Sequence, residues 1–206
     1  MTDRQDDVEI LDRRTTYQGI FRLDLYRLRH RRHDGGWSPP LLREVFERGH
    51  GAAVLPYDPA ADAVVLIEQF RIGALLGGLP PWQIEIPAGI IEAGEDAPAV
   101  ARREALEEAG CAVDRLEPIG RFALSPGAST ETVALFCGRV DSRGLGGIHG
   151  LAAEAEDIAV RVRPFAEAMG LVEAGGVANA FTVIALQWLA LHRDEVGRRW
   201  AAAPAA

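Results

Sequence analysis

The stretch Gly89–Cys111 reads GIIEAGEDAPAVARREALEEAGC, and it decides how the rest of the chain is interpreted. Its centre predicts a helix over Glu95–Ala109. Asp96 is a candidate N-cap, and Pro98 stands near the first helical position, where a proline is tolerated. Gly110 follows as a natural end, because glycine readily adopts the left-handed conformation that terminates many helices.

Three glutamates of this predicted helix point the same way. At about 100° per residue, Glu104, Glu107 and Glu108 span an arc of roughly 100°. Glu104 and Glu108 form an i, i+4 like-charge pair, which weakens a helix unless something neutralises it. A magnesium ion would do so, because it prefers carboxylate oxygens and bridges to phosphates, and Arg103 could fix the carboxylate rotamers. Taken alone, however, the segment is more typical of a solvated, glutamate-rich helix face.

The residues around these glutamates resemble the Nudix box, GX5EX7REUXEEXGU, in which U is a bulky apolar residue. Its two U positions hold Ala105 and Cys111, which are small, so the match is loose there. At about one in fifteen for each fixed position, the whole set would coincide by chance roughly once in 10⁸ trials. The matched fixed positions are Gly89, Glu95, Arg103, Glu104, Glu107, Glu108 and Gly110.

This resemblance implies a fold and a chemistry. Nudix proteins have an α/β/α sandwich with a mixed sheet and hydrolyse a nucleoside diphosphate that is linked to another moiety. By that likeness Glu104 and Glu108 are the first metal ligands, joined by Glu107 and by the backbone carbonyl of Ala88. Two or three magnesium ions, or manganese in their place, would activate the attacking water. Arg103 and Glu107 would share in catalysis, with Arg103 and the metal ions stabilising the charge that develops at phosphorus.

Features outside the box favour one group of this family. Pro126 lies sixteen residues after Gly110, and the bacterial ADP-ribose pyrophosphatases carry a proline at about that spacing, although a loop proline also simply stiffens a turn. The resemblance to that group runs from about Val8 to Trp200, and it implies hydrolysis of ADP-ribose to AMP and ribose 5-phosphate. One alternative is a hydrolase of another nucleoside diphosphate-sugar, such as GDP-mannose or ADP-glucose. Another is a protein that only binds such a ligand.

The same resemblance assigns two carboxylates to an acidic, glycine-flanked loop, GLAAEAED. Glu154 would be the general base that takes a proton from the attacking water, and Glu156 would assist as a late metal ligand. A mobile loop of this kind can close over a bound substrate. From the residues alone, a merely solvated acidic loop is the simpler interpretation.

Five further positions match expected substrate contacts. Arg43 and Arg71 are expected to meet the nucleotide or its phosphates, although each alone is more typical of a surface arginine. Glu131 is expected to contact the ribose or a metal, or else to cap a strand. Ile20 stands where relatives have an aromatic residue that could stack on adenine, so the contact with the base is expected to be weaker or shared with Phe21.

The remaining segments predict an α/β chain with two domains. Residues 1–49 predict a small antiparallel β-sheet domain, and residues 50–206 the catalytic domain. Within Phe21–Leu28 the apolar residues alternate and then slip by one position, which suggests a bulge. Three strands form a marginal sheet, so we expect it to pack on another surface, and the resemblance implies a homodimer that exchanges these strands. Later helices are predicted over Pro164–Gly175 and from Asn179, as N-cap, to Val196.

The composition bounds the partners and the location. The 206 residues include 22 basic and 30 acidic side chains, and the formal charge of −8 argues against a nucleic-acid ligand. The basic stretch Arg27–Arg32 is the local exception and is more typical of a solvated strand. Cys111 and Cys137 are too few for a disulfide framework and fit buried thiols of a reducing compartment. The polar N-terminus and the short apolar runs predict a cytoplasmic location and no membrane partner.

Overall fold

A computed structural model describes residues 5–202 of the chain, apart from the side chains of Gln5, Glu154 and Ala202. The candidate base Glu154 is therefore placed by its backbone, and its carboxylate lies outside the described part. Among the helices of residues 5–202, none is both long enough and apolar enough to cross a membrane.

The chain divides into two compact units. The first runs to His50 and also takes in Ala123–Thr132, and the second comprises Gly51–Phe122 together with the chain from Val133 onward. The first unit contains the predicted antiparallel sheet, in which consecutive strands are neighbours. Its strands are β1 (Val8–Gln18), β2 (Arg22–His30) and β3 (Leu41–Glu47).

The pairing of β1 with β2 is irregular at two points. Register shifts lie between Ile10 and Asp12 and between Thr15 and Tyr17, so each inserts an extra residue into β1. The prediction of a bulge in β2 is therefore wrong. Both faces of β2 are partly covered, and for that reason its apolar pattern does not report the register of pairing.

The fully buried side chain of this small sheet is a carboxylate. Asp24 of β2 accepts hydrogen bonds from Arg13 at 2.7 Å, Thr15 at 2.8 Å and Arg22 at 3.0 Å. Burial alone would raise the pKa of this carboxyl, but the hydrogen bonds from Thr15 and Arg13 lower it. Many large apolar side chains of the same unit are exposed instead, namely Val8, Ile10, Leu11, Tyr17, Ile20, Leu42 and Phe46.

The second unit is built on a large mixed sheet. Its strands are β4 (Gly51–Asp58), β5 (Ala63–Phe70), β6 (Trp82–Glu85), β7 (Ala88–Ile90), β8 (Arg115–Ala123), β9 (Thr132–Arg139), β10 (Gly147–His149) and β11 (Ile158–Pro164). The order across the sheet is β10-β11-β5-β4-β9-β8, while β6 pairs with β5 and β7 pairs with β4. β4 and β9 run parallel, whereas β4 and β5 run antiparallel.

The helices of this unit are α1 (Ile72–Leu76), α2 (Ala97–Ala109), α3 (Phe165–Glu173) and α4 (Ala180–Ala202). Helices α2 on one face and α3 and α4 on the other cover this sheet, whereas α1 has no buried residue. Neighbouring residues of β4 point to opposite faces, as the pleat of a strand requires. Leu55 belongs to the core that includes Leu186 of α4, whereas Val54 belongs to the core that includes Ala105 of α2. The predicted α/β/α sandwich is confirmed.

The local signals around α2 correctly predict both of its caps, although the helix begins at Ala97 and not at Glu95. The Asp96 side chain caps the helix by accepting a hydrogen bond from the Ala99 backbone N–H at 2.7 Å, so the helix begins one residue after Asp96. Gly110 ends it with a φ of 64°, in the left-handed region. The small residues Ala105 and Cys111 are fully buried in the core beneath α2, which permits a close approach of helix to sheet.

Two elements differ from the sequence-based expectation: α4 is longer than predicted, and β10 is an additional short strand. Asn179 caps α4 as predicted, since its side chain accepts a hydrogen bond from the Thr182 backbone N–H at 3.1 Å. The helix continues beyond Val196 because Trp200, only 4% exposed, still packs in the core on that face. The strand β10 lies within the glycine-rich segment that predicted only a loop.

Candidate active site

The three glutamates of α2 differ in burial. Glu104 and Glu108, one helical turn apart, are 9% and 3% exposed. The side chain of Glu107 is 30% exposed. Two buried carboxylates at i, i+4 repel each other and have lost their hydration, so the helix is stabilised only if protons or cations compensate their charge.

Arg103 supplies part of that compensation from the helix itself. Its Nη1 lies 2.8 Å from Glu104 Oε1 and 3.1 Å from Glu107 Oε2. Its Nε lies 3.4 Å from Glu95 Oε1, and Glu95 is itself fixed by the Glu92 backbone N–H at 3.0 Å. Arg103 therefore neutralises part of the charge and restrains the orientation of three carboxylates.

The strand β7 receives the two buried carboxylates. The Ala88 backbone N–H donates a hydrogen bond to Glu108 Oε2 at 2.9 Å. At Gly89, an added Cβ atom would overlap the Glu104 carboxylate, so only glycine leaves that side chain its position. The first glycine of the motif is thus explained by contact with the first glutamate of the pair.

Burial dominates the electrostatics of the pair. It raises the pKa of Glu104, against the attraction of Arg103 and with added repulsion from Glu107 and Glu156. It also raises the pKa of Glu108 to about 8, because the hydrogen bond from Ala88 only partly offsets desolvation and the charge of Glu104 adds to it. Both carboxylates would therefore gain stability from a nearby cation.

The donor set suits a hard divalent cation, which prefers carboxylate, carbonyl and water oxygens. No three His, Cys, Asp or Glu side chains within the described part of the chain lie close enough together to hold a metal ion as they stand. Beyond Glu104 and Glu108, further oxygen ligands would have to come from other carboxylates such as Glu107 and Glu156, from backbone carbonyls, from water or from ligand phosphates.

A second polar cluster, which the sequence analysis did not identify, centres on Glu85 of β6. Glu85 is 3% exposed, and its Oε2 accepts hydrogen bonds from Arg71 Nε at 3.1 Å, Arg71 Nη2 at 2.8 Å and Gln69 Nε2 at 3.3 Å. Its Oε1 accepts one from Asn179 Nδ2 at 3.1 Å. The available signal was a carboxylate inside the apolar run WQIEIP, since a buried charge needs a partner.

Arg71 connects this cluster electrostatically with the buried glutamates. Burial lowers the pKa of its guanidinium, but the hydrogen bonds and charge of Glu85 outweigh that effect and raise it. The charges of Glu108 and Glu156 raise the pKa of Arg71 further. Arg71 thus lies within the field of the same carboxylates that would hold a cation.

The acidic loop is folded tightly around its glycines. The backbone of Ala152–Glu154 forms one 3-10 turn. Glu156 is partly buried, and its Oε2 accepts a hydrogen bond from the Leu151 backbone N–H at 3.0 Å. Gly150 has a φ of 104°, and an added Cβ there would approach the Glu156 Cβ to 2.6 Å. The carboxylate of Glu156 is therefore held inside its own loop.

The other expected substrate contacts lie in the first unit. Arg43 of β3 and Ile20, which is 96% exposed, are surface residues. The guanidinium of Arg48 lies over the Phe21 ring, 5.5 Å from its centroid, and 3.4 Å from Glu131 Oε1. Phe21, Arg48 and Glu131 therefore form one local cluster, of which Arg48 was not identified from the sequence.

The raised pKa of Glu108 predicts a pH dependence of stability in the metal-free protein. Folding raises this pKa from its ordinary value of 4.5 to about 8, so the folded state binds the proton more tightly than the unfolded chain. The free energy of unfolding should therefore fall as the pH rises through that window. We expect Glu108→Gln to flatten this fall, measured by denaturant unfolding in a chelator at several pH values.

The matched control is Glu173→Gln, which changes an exposed glutamate at the end of α3 and should retain the wild-type pH dependence. If the free energy of unfolding fell equally with pH in Glu108→Gln and in the wild-type protein, the raised pKa of Glu108 would be contradicted.

Comparisons with known proteins agree with this geometry. The family model of the NUDIX domain matches residues 47–186. An ADP-ribose pyrophosphatase of Escherichia coli K12 is 50% identical over 201 residues, which are 98% of this chain and 96% of that protein. A GDP-mannose pyrophosphatase of Cronobacter sakazakii is 40% identical over 151 residues, which are 72% of this chain and 78% of that protein.

The fold has a counterpart among solved structures. A crystal structure described as an ADP compounds hydrolase superimposes with a TM-score of 0.71, covering 96% of this chain and 100% of that one. Its sequence identity is 20%, so this likeness concerns the fold. The family match, the near full-length relatives and the residues that form the box on α2 and β7 lead to one conclusion: the chain belongs to the Nudix family.

Proposed function

We propose that the protein hydrolyses the diphosphate of ADP-ribose to give AMP and ribose 5-phosphate. The observation that carries this proposal is the 50% identity to an ADP-ribose pyrophosphatase over 98% of the chain. That similarity includes the N-terminal unit, most of which lies outside the family match at residues 47–186. Because family members share the box, residues outside it must distinguish one substrate from another.

Hydrolysis of a different nucleoside diphosphate-sugar is the second candidate. The relative named GDP-mannose pyrophosphatase is 40% identical over 72% of the chain, so the same carboxylates could serve GDP-mannose or ADP-glucose. A protein that only binds ADP-ribose or a nucleotide-sugar is disfavoured. Such a binder has no need of the buried carboxylates, whereas this chain retains Glu104, Glu107 and Glu108.

We propose a divalent metal site, occupied by two or three magnesium ions and also accessible to manganese. Nudix ADP-ribose pyrophosphatases generally depend on divalent metals. The fit rests on the buried pair Glu104 and Glu108, whose pKa values are raised mainly by burial, so a bound cation would favour their charged forms. Glu107, Glu156 and the carbonyl of Ala88 are proposed as additional ligands. Bound ions of this kind lower the pKa of a water molecule and neutralise phosphate charge.

Two loop carboxylates and one arginine of α2 are proposed to handle the proton and the charge. Glu154 would take a proton from the attacking water as general base, with Glu156 assisting from the same loop. Arg103 would keep Glu104 and Glu107 oriented, an assignment supported by its contacts with both carboxylates at 2.8 Å and 3.1 Å.

Five residues are proposed as substrate contacts. Arg71 would bind a phosphate, because its guanidinium is tethered on one edge and its side chain is 43% exposed. Arg43 would meet a second part of the nucleotide, and Glu131 the ribose or a metal. Ile20 and Phe21 would contact the adenine, with the Phe21 ring as the flat surface on which a base can stack.

We propose that the protein is a homodimer in which residues 1–49 form an exchanged β-sheet domain and residues 50–206 the catalytic domain. Val8, Ile10 and Tyr17 of β1 are 49%, 60% and 65% exposed, and such a row of apolar side chains is typical of an interface. The active site would then draw on both subunits. Light scattering at micromolar concentration should give twice the chain mass, and a monomer mass would contradict the proposal.

The proposed setting is the cytoplasm, with a small nucleoside diphosphate-sugar as ligand and without nucleic acid or membrane as partner. The formal charge of −8 supports the absence of a nucleic-acid partner. Cys111 and Cys137 are both free and buried, which is compatible with a reducing compartment.

Purified protein with magnesium and ADP-ribose should release AMP and ribose 5-phosphate, and a chelator should abolish the release. We expect kcat/KM for ADP-ribose to exceed that for GDP-mannose and ADP-glucose by about tenfold or more, because base and sugar contacts each discriminate by roughly 1–3 kcal/mol. Chromatography of the products measures this. Faster cleavage of GDP-mannose would refute the substrate assignment, and tight binding without turnover would favour the binding protein.

Glu154→Gln tests the proposed base separately. We expect kcat for ADP-ribose to fall by about 10²–10⁴-fold with a nearly unchanged KM, because the variant keeps the shape of the side chain and loses its basicity. Glu173→Gln, an exposed glutamate on α3, is the control and should retain wild-type kinetics. Wild-type turnover by Glu154→Gln would remove this residue from the role.

A further inference from the structure

Glu85 is a buried carboxylate with an unusually complete set of partners. Four hydrogen bonds reach it from three side chains, Gln69, Arg71 and Asn179. Its side chain is 5% exposed, whereas that of Arg71 is 43% exposed. The ion pair is therefore anchored at its carboxylate end and open to solvent at its guanidinium end.

The geometry of the guanidinium shows what this anchoring leaves available. Both hydrogen bonds from Arg71 to Glu85 use Nε and Nη2, which form one edge of the planar group. The other edge, formed by Nη1 and the second Nη2 hydrogen, remains directed away from that carboxylate. This edge can bind two oxygens of a phosphate at once, which a lysine could not do.

Asn179 restrains Glu85 in turn. Its Oδ1 accepts hydrogen bonds from the Thr182 backbone N–H at 3.1 Å and from the Thr182 hydroxyl at 3.0 Å, so its amide is oriented by the start of α4. Its Nδ2 then donates to Glu85 Oε1 at 3.1 Å. Asn179 at the start of α4 and the residues Gln69 and Arg71 at the end of β5 thus fix the same carboxylate from two sides.

We propose that Glu85, held by Asn179, is a positioning residue that presents the free edge of Arg71 to the diphosphate of the substrate. The proposal rests on the proposed function in that Arg71 is taken to contact a diphosphate. Glu85 itself touches neither substrate nor metal in this account. Its effect on the reaction passes entirely through Arg71, and this distinguishes it from a residue that only stabilises the fold.

A double-mutant cycle tests this dependence. We expect Glu85→Gln and Arg71→Ala each to lower kcat/KM for ADP-ribose by about 10- to 100-fold, the effect of losing an oriented hydrogen bond between charged groups. The double variant should be no worse than Arg71→Ala, because no guanidinium is left to position. Multiplicative losses, or unchanged kcat/KM in either single variant, would overturn the proposal.

Two further variants separate positioning from folding. Asn179→Ser keeps a side-chain oxygen that can cap α4 but loses the amide that donates to Glu85, so it should lower kcat/KM with little change in thermal unfolding. If Glu85→Gln does not fold, the Asn179 variant takes its place in the double-mutant cycle. Glu117→Gln is the matched control, because it breaks a comparable ion pair with Arg199 at 3.1 Å and should leave kcat/KM unchanged.

The same cycle measured on the affinity for ADP requires no turnover. Calorimetry should show weaker ADP binding in each single variant and no additional loss in the double variant. Coupled ADP binding without hydrolysis of ADP-ribose would support the role of Glu85 and contradict the proposed function. If the protein hydrolysed ADP-ribose but the two substitutions weakened ADP binding independently, the proposed function would be supported and the role of Glu85 would be contradicted.

Discussion

The site depends on the close contact between the Glu104 carboxylate and the backbone of Gly89, where an added Cβ atom would overlap that carboxylate. This contact brings α2 and β7 together so closely that the Ala88 backbone N–H can bind Glu108. The small residue Ala105 lies on the buried side of the same helix and permits that approach. Two carboxylates are thereby held in a place where water cannot hydrate them fully. This burial raises their pKa values, so a bound cation would stabilise their charged forms.

Each charged group of the site is oriented by a partner that does not need to react. Arg103 orients the carboxylates from within α2, and Glu85 orients Arg71 from β6. Arg103 restrains carboxylates that would bind a metal cation. Glu85 restrains an arginine that would bind a phosphate anion. Such prior orientation favours catalysis, since less reorganisation is needed when a charged substrate arrives.

The sequence predicted those features that local signals determine. The cap at Asp96, the stop at Gly110 and the shared face of the glutamates depend on residues a few positions apart, and the structure has all of them. The Glu85–Asn179 hydrogen bond joins residues 94 positions apart, so no local pattern could predict it. The two bulges of β1 were likewise missed. Both faces of β2 are partly covered, so the alternation of its apolar residues does not reveal how it pairs with β1.

Manganese titration of the wild-type protein and Gly89→Ala, followed by electron paramagnetic resonance, tests most directly whether this contact builds the metal site. The backbone of Gly89 is not in the left-handed region, so the added methyl group acts through its overlap with Glu104. The account predicts that Gly89→Ala keeps its circular dichroism spectrum and binds manganese about 10- to 100-fold more weakly, the usual effect of disturbing the support of metal ligands. Equal affinity in the two proteins would contradict it.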